Sequence, residues 1–249
     1  MLTTTESATA TTVPASTAII ALNATAKSYA VRGGQTCHAL RAISLCIAAG
    51  EYVAVLGKSG SGKSTLLNLI AWLDRPSAGS LCVAGMDLSG AGENALALWR
   101  GKNIGVVFQF FQLLPTLTII ENIILAMEFV DKVPLRERRP RALELLQMVG
   151  LTDQAHKLPS MLSGGQQQRA AIARAMANDP PIILADEPTG NLDSETAADV
   201  NALFEQLVRQ GKTLVVVTHD ANLAQVAQRV IELKDGSVVS DRTQQRVAA

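Results

Sequence analysis

The chain has 249 residues, 48% of them apolar and 18% charged, with 22 basic side chains matched by 22 acidic ones. That supplies a sizeable core for one large domain or two small ones. The zero net charge gives no electrostatic case for binding nucleic acid or an anionic membrane. No run reaches the roughly 18–20 apolar residues that span a bilayer; the best, Leu117 to Val130, is broken by Glu121, Asn122 and Glu128.

Residues 1–17 are rich in Thr, Ala and Ser and contain no Lys or Arg. They read as a disordered leader and not as a signal peptide. From Ile19 to Ala48 polar and apolar residues alternate around the turn residues Gly33–Gly34, which predicts antiparallel strands beside a main sheet. Tyr52–Leu56, Ile104–Phe108, Ile182–Ala185 and Leu214–Val217 are continuous apolar runs, the pattern of strands covered on both faces. Leu66 to Leu73, Arg141 to Val149 and Glu195 to Arg209 predict helices between them. Leu113 to Met176 holds no convincing strand and predicts a helical insertion, about 113–177. Lys234-Asp235-Gly236 reads as a hairpin turn between two apolar runs. The expectation is an α/β domain over 18–241, with a mainly parallel sheet core, an antiparallel β subdomain and a helical subdomain. Residues 242–249 would form a flexible tail. Cys37, Cys46 and Cys82 form no close-spaced pair and match no zinc spacing, so they read as reduced thiols.

The first chemical motif is Gly57-Lys58-Ser59-Gly60-Ser61-Gly62-Lys63-Ser64-Thr65, which fits G-x-x-x-x-G-K-[ST] between a strand and a helix. Its glycines let the backbone curl so that successive N–H groups point at one anion. The helix start adds a favourable dipole. Lys63 is placed to reach the β- and γ-phosphates of a nucleotide, and the Ser64 hydroxyl to ligate Mg²⁺. A second element is the run Ile182 to Ala185 ending in Asp186-Glu187. An apolar run ending in two acids says little alone. Beside a phosphate loop it supplies Asp186 to hold Mg²⁺, through water, and Glu187 to polarise the attacking water.

Leu162-Ser163-Gly164-Gly165-Gln166 is the signature of ABC ATPases, and the chain resembles that family from Ile19 to Asp241. The resemblance implies a P-loop NTPase of the ABC cassette type that takes ATP and Mg²⁺. It implies further roles residue by residue. Gln109 matches the glutamine that reaches the metal and the reacting phosphate; Gln112 is a near neighbour, but Gln109 directly follows the strand. Gly190-Asn191-Leu192-Asp193 matches the D-loop, with Asp193 near nucleotide. His219 matches the switch histidine at the γ-phosphate. Tyr29 matches the aromatic that stacks on adenine; from the residues alone it reads as a strand tyrosine with a half-exposed ring. Ser163, Gly164 and Gly165 precede a helix expected over Gln166 to Ala177, so they offer a hydroxyl and free N–H groups to an anion. The resemblance implies that this second anion site caps the ATP of a partner cassette, giving a homodimer with two ATPs held head to tail.

The longer segments SGGQQQR at 163–169, NDPPIILADEPTGNLDS at 178–194 and VFQFFQLLP at 107–115 resemble the macrolide-export, lipoprotein-release and cell-division group of ABC ATPases. That implies an integral membrane permease subunit as partner and a place at the cytoplasmic face of the inner membrane. It also implies export or lipoprotein extraction, with force transmission that moves no solute as the alternative. Phe110, Phe111, Leu113 and Leu114 suit either a groove for a coupling helix of that subunit or ordinary core. Ala71-Trp72 departs from the small residues usual in the group. ABC ATPases of DNA repair carry a long coiled coil between the two motifs. Here only about a hundred residues separate Lys63 from Ser163, without heptads, and no nucleic acid partner is expected. No role follows from sequence for His38 or His156.

Overall fold

The computed structural model describes residues 18–31 and 35–244. The 1–17 leader, the Gly33–Gly34 turn and the last five residues of the expected tail lie outside them.

β1 (Ala18–Ala30) and β2 (Thr36–Ala48) pair antiparallel, as the alternation predicted. β3 (Tyr52–Leu56) enters the main sheet, and α1 (Lys63–Ile70) follows the phosphate loop. β4 (Ala78–Val83) then returns to the far edge of β1, giving a three-stranded antiparallel sheet in the order β2-β1-β4. β4 was not anticipated. It is short, carries Gly79 and Ser80, and is exposed over its first half, so no apolar run announces it. α2 (Glu93–Asn103) was also missed; it buries only Leu96 and Trp99.

β5 (Ile104–Val107) leads into the helical region of α3 (Ile119–Val130), α4 (Leu135–Met148) and α5 (Gly164–Ala175). Glu121 and Asn122, which interrupt the apolar run there, serve the start of α3. Glu121 completes a capping box with Thr118. The buried Asn122 amide donates to the carbonyls of Leu114, Leu117 and Thr118. β6 (Ile182–Asp186), α6 (Ser194–Arg209), β7 (Thr213–Thr218), α7 (Ala221–Gln225), β8 (Arg229–Lys234) and β9 (Ser237–Thr243) complete the domain. β9 takes in Arg242 and Thr243, which the sequence had assigned to the tail.

The main sheet has six strands in the order β5-β6-β7-β3-β8-β9, parallel except for β9. Its central strands are apolar throughout because both faces are covered. Tyr52, Ala54, Ile183, Ala185, Leu214 and Val216 face the core shared with α3 to α6. Val53, Val55, Ile182, Leu184, Val215 and Val217 face the core shared with α1 and the antiparallel sheet. α1 stops at Ile70, short of the expected Leu73, because Trp72 turns left-handed at φ 51°. The Trp72 ring is 1% exposed and fills the second core, and Arg100 donates to its carbonyl at 2.7 Å. Ala71-Trp72 thus acts on packing behind the phosphate loop. The turn Asp235–Gly236 joins β8 to β9. The Gly236 N–H donates to the Ser61 carbonyl at 3.0 Å, and the Arg41 N–H donates to the Gly236 carbonyl at 2.7 Å. No described helix is long and apolar enough to cross a membrane.

Candidate functional site

β3, β6 and β7 run parallel, so their C-terminal ends share one edge of the sheet. Open α/β sheets bind ligands at such edges. Here β3 delivers the phosphate loop, β6 delivers Asp186 and Glu187, and β7 delivers Thr218 and His219. α1 begins at Gly62, φ 104°, with no side chain capping its first N–H groups. A Cβ at Gly62 would lie 2.6 Å from the Ala39 carbonyl oxygen, and L-residues rarely hold that φ. The loop shape therefore depends on glycine here.

Lys63 is 9% exposed, and its ammonium donates to the carbonyls of Gly57 at 2.7 Å and Lys58 at 3.3 Å. It lies 3.8 Å from Glu187 Oε1. The ammonium is thus held inside the loop and has a counter-charge, as a buried cation requires. Burial raises the Asp186 pKa above the ordinary carboxylate value, and the charge of Glu187 adds to this. The Ser64 hydroxyl bond and the charge of Lys63 act the other way. The oxygens of Ser64 and Asp186 therefore lie together, a hard-donor pair of the kind Mg²⁺ takes alongside phosphate and water. Among the described residues no group of three or more His, Cys, Asp or Glu could hold a metal by itself. The oxygen set fits a metal that arrives with its ligand.

Glu187 sits at φ 45°, left-handed for a residue with a Cβ. Its Oε2 accepts from the Thr218 hydroxyl at 3.0 Å and the His219 N–H at 3.2 Å. Its Oε1 lies 2.9 Å from His219 Nδ1. A cavity of about 700 Å³ opens here. Lys58, Ser59, Gly60, Gly62, Lys63, Ser64 and Thr65 line it, together with Gln109, Asp186, Glu187 and His219. Gly57 and Ser61 do not line it. Gln109 is the glutamine in the cavity, whereas Gln112 lines a separate groove with Phe108. The Gln109 side chain packs on Gly190, and its carbonyl accepts from Asn191 Nδ2 at 3.2 Å, which ties it to the D-loop segment.

Other expected residues lie outside this cavity. Tyr29 is 38% exposed and donates from its hydroxyl to Asp74 Oδ2 at 2.7 Å. Burial, and then Asp74, raise its pKa. The Lys27 ammonium stands 4.9 Å from the ring centroid. Tyr29 pairs across the strands with Cys37, which does line the cavity. Ser163 proves to be the N-cap of α5, which starts at Gly164 and not at Gln166. Its Oγ accepts from the Gln166 N–H at 3.3 Å, and Gln166 Oε1 accepts from the Ser163 N–H at 3.0 Å. Asp193 caps α6, accepting from the Thr196 N–H at 2.9 Å and its hydroxyl at 2.8 Å. Those bonds hold its carboxyl below the ordinary range.

Sequence reasoning missed Cys37, His38 and Ala39, which line the cavity, and Thr218, which holds Glu187. Thr218 directly precedes His219 and was legible from that adjacency. His38 was not: its Nδ1 meets the Ser28 hydroxyl at 2.9 Å through a strand register that no motif encodes. Of the aromatic cluster, Phe110 is 69% and Leu114 45% exposed, while Leu113 packs on the core.

The sequence profile of the ABC transporter family matches residues 40–190. The lipoprotein-releasing system ATP-binding protein LolD of Anaeromyxobacter dehalogenans is 44% identical over 95% of the chain and 99% of its own length. The macrolide export ATP-binding/permease protein MacB of Sodalis glossinidius is 46% identical over 92% of the chain, which spans only 35% of MacB. A dimeric structure of the ATP-binding cassette MJ0796 of Methanocaldococcus jannaschii, bound to ADP and Pi, superposes with a TM-score of 0.84. That match has 44% identity and covers 91% of this chain and 99% of the other. The chain therefore belongs to the ABC transporter family, as an ATP-binding subunit that hydrolyses ATP.

Proposed function

We propose that the cavity at the sheet edge binds ATP with Mg²⁺ and that two copies of this chain close on two nucleotides to drive a separate membrane subunit. The observation that carries the reading is the convergence of Lys63, Asp186, Glu187 and His219 on one phosphate loop. In it the uncapped N–H groups of α1 and the Lys63 ammonium hold the β- and γ-phosphates. Ser64, Asp186 and Gln109 hold the metal, which when bound offsets the negative charge of the phosphates. Glu187, fixed by Thr218 and His219, takes the proton of the attacking water, and His219 faces the γ-phosphate. Tyr29 stacks on adenine, with its hydroxyl already tethered.

Ser163, Gly164, Gly165, Gln166 and Asp193 line no part of this chain's own cavity. That supports their service to a second copy's nucleotide, as does the dimeric state of MJ0796. The likeness to LolD and MacB supports export or lipoprotein extraction, with an integral permease as partner at the cytoplasmic face of the inner membrane. A Ser59→Cys, Ser163→Cys chain in which the free Cys37, Cys46 and Cys82 are replaced by Ser tests the arrangement. Disulfides should form between two chains and only with ATP; crosslinks within one chain, or without ATP, would sink the sandwich. Turnover should also rise when the permease is added in lipid.

A further inference from the structure

We infer that Gln168 is a positioning residue for Glu187, through which the signature helix controls hydrolysis in its own chain. The inference rests on the proposed role of Glu187 as base.

Gln168 lies one turn into α5 and is 0% exposed. Its Nε2 donates to the Pro188 carbonyl at 2.7 Å, while its buried Oε1 has no hydrogen-bond partner. A buried amide with one side unused is a poor device for stability; an apolar side chain of that length fills the space without an orphaned acceptor. What the amide does supply is a directed bond to one carbonyl.

That carbonyl follows Glu187, whose left-handed backbone is unfavourable for a residue with a Cβ and needs support from its surroundings. Support comes from three sides, the first being the Gly190 N–H, which donates to the Glu187 carbonyl at 3.1 Å. The Glu187 N–H donates to the Val217 carbonyl at 2.9 Å, and Gln168 holds the carbonyl of Pro188, the neighbouring residue. Pro188 has no N–H, so its carbonyl is the one backbone handle at that position. Moving it swings Glu187 relative to Thr218 and His219.

α5 is built to transmit such a movement. At its start a Cβ on Gly165 would lie 2.1 Å from Thr196 Cγ2, so the Thr196 side chain of α6 packs directly on the α5 backbone there. Near its end Arg174 donates to the carbonyls of Phe111 and Gln112, which are themselves left-handed at φ 58° and 52°. One helix therefore holds both strained turns, the one after Gln109 and the one at Glu187. The same helix begins at Ser163. A load on Ser163 reaches the Pro188 carbonyl through about one helical turn.

Gln168→Met removes the donor and keeps the length. In the full chain, kcat should fall ~10-fold to ~100-fold, the loss expected from a misplaced catalytic group. The ATP Kd by calorimetry, KM and the melting temperature should stay near the parent values, and ATP-bound dimers should persist longer. Gln168→Leu, which also removes the donor, should show the same split. A kcat within about twofold of the parent, or a loss of ATP affinity with kcat retained, would overturn the assignment. So would failure of both variants to fold, which would make the amide a scaffold group. If Glu187→Gln itself keeps normal turnover, the base reading fails, whatever Gln168 does.

Discussion

Two helices in this chain begin with glycine-rich segments, and they begin differently. α1 starts at a left-handed Gly62 with no side chain on its first N–H groups. α5 starts at Ser163, where Ser163 and Gln166 satisfy each other in a capping box. A helix start leaves up to four N–H groups without partners. At α1 these groups turn into a cavity beside Lys63, Asp186 and Glu187. At α5 part of the need is met locally, and the start lies outside that cavity. On the proposed reading, the difference separates a site whose loop and acidic groups come from one chain from a surface offered to a second copy.

Lys63→Ala tests the α1 site most directly. Removing the Lys63 ammonium, which is held inside the loop, should lower ATP affinity by on the order of 100-fold, the scale of a lost charge-assisted bond with its partner left buried. Unchanged affinity in calorimetry would contradict the one-chain site. Glu187→Gln should keep ATP affinity and cut turnover by ~100-fold or more, as loss of a general base does; near-normal phosphate release would remove Glu187 from the mechanism. Gly62→Ala should reduce affinity about tenfold through backbone strain of ~1–2 kcal/mol. The close Ala39 carbonyl adds to that strain. Equal affinity in a folded Gly62→Ala chain would show that the left-handed start is dispensable. The smallest effect belongs to Ser163→Ala, which should lower stability by ~1 kcal/mol through loss of the cap. It should weaken ATP-driven dimers and leave the nucleotide affinity of the isolated chain unchanged. If Ser163→Ala damages monomer binding as much as Lys63→Ala does, the two helix starts are not distinct.

The legible parts of this molecule are those where one residue type answers one physical demand. Tyr52–Leu56 was read to the residue because a strand covered on both faces must be apolar throughout. The phosphate loop and Asp186-Glu187 were legible because β-strand ends carry them to a common edge. The start of α5 was misplaced by two residues, since glycines at its first positions hide a helix that a capping box creates. β4 and α2 escaped because neither buries enough apolar surface to set a pattern. The place of His38 depends on the β1–β2 register, which shifts between Leu22 and Ser28, and local sequence does not encode such shifts. Gln168 sat in plain view within the signature segment, yet its partner, a carbonyl twenty positions on, could be found only in space.

The turn at Asp235–Gly236 bears on how the protein is made. It sits between the phosphate loop and β2, bonded to the Ser61 carbonyl on one side and the Arg41 N–H on the other. The brace is synthesised about 170 residues after the loop. On a ribosome, then, the loop waits unbraced while the helical region and most of the sheet emerge. Only after residues 235–236 have emerged can the loop be braced, so products interrupted before them lack this contact.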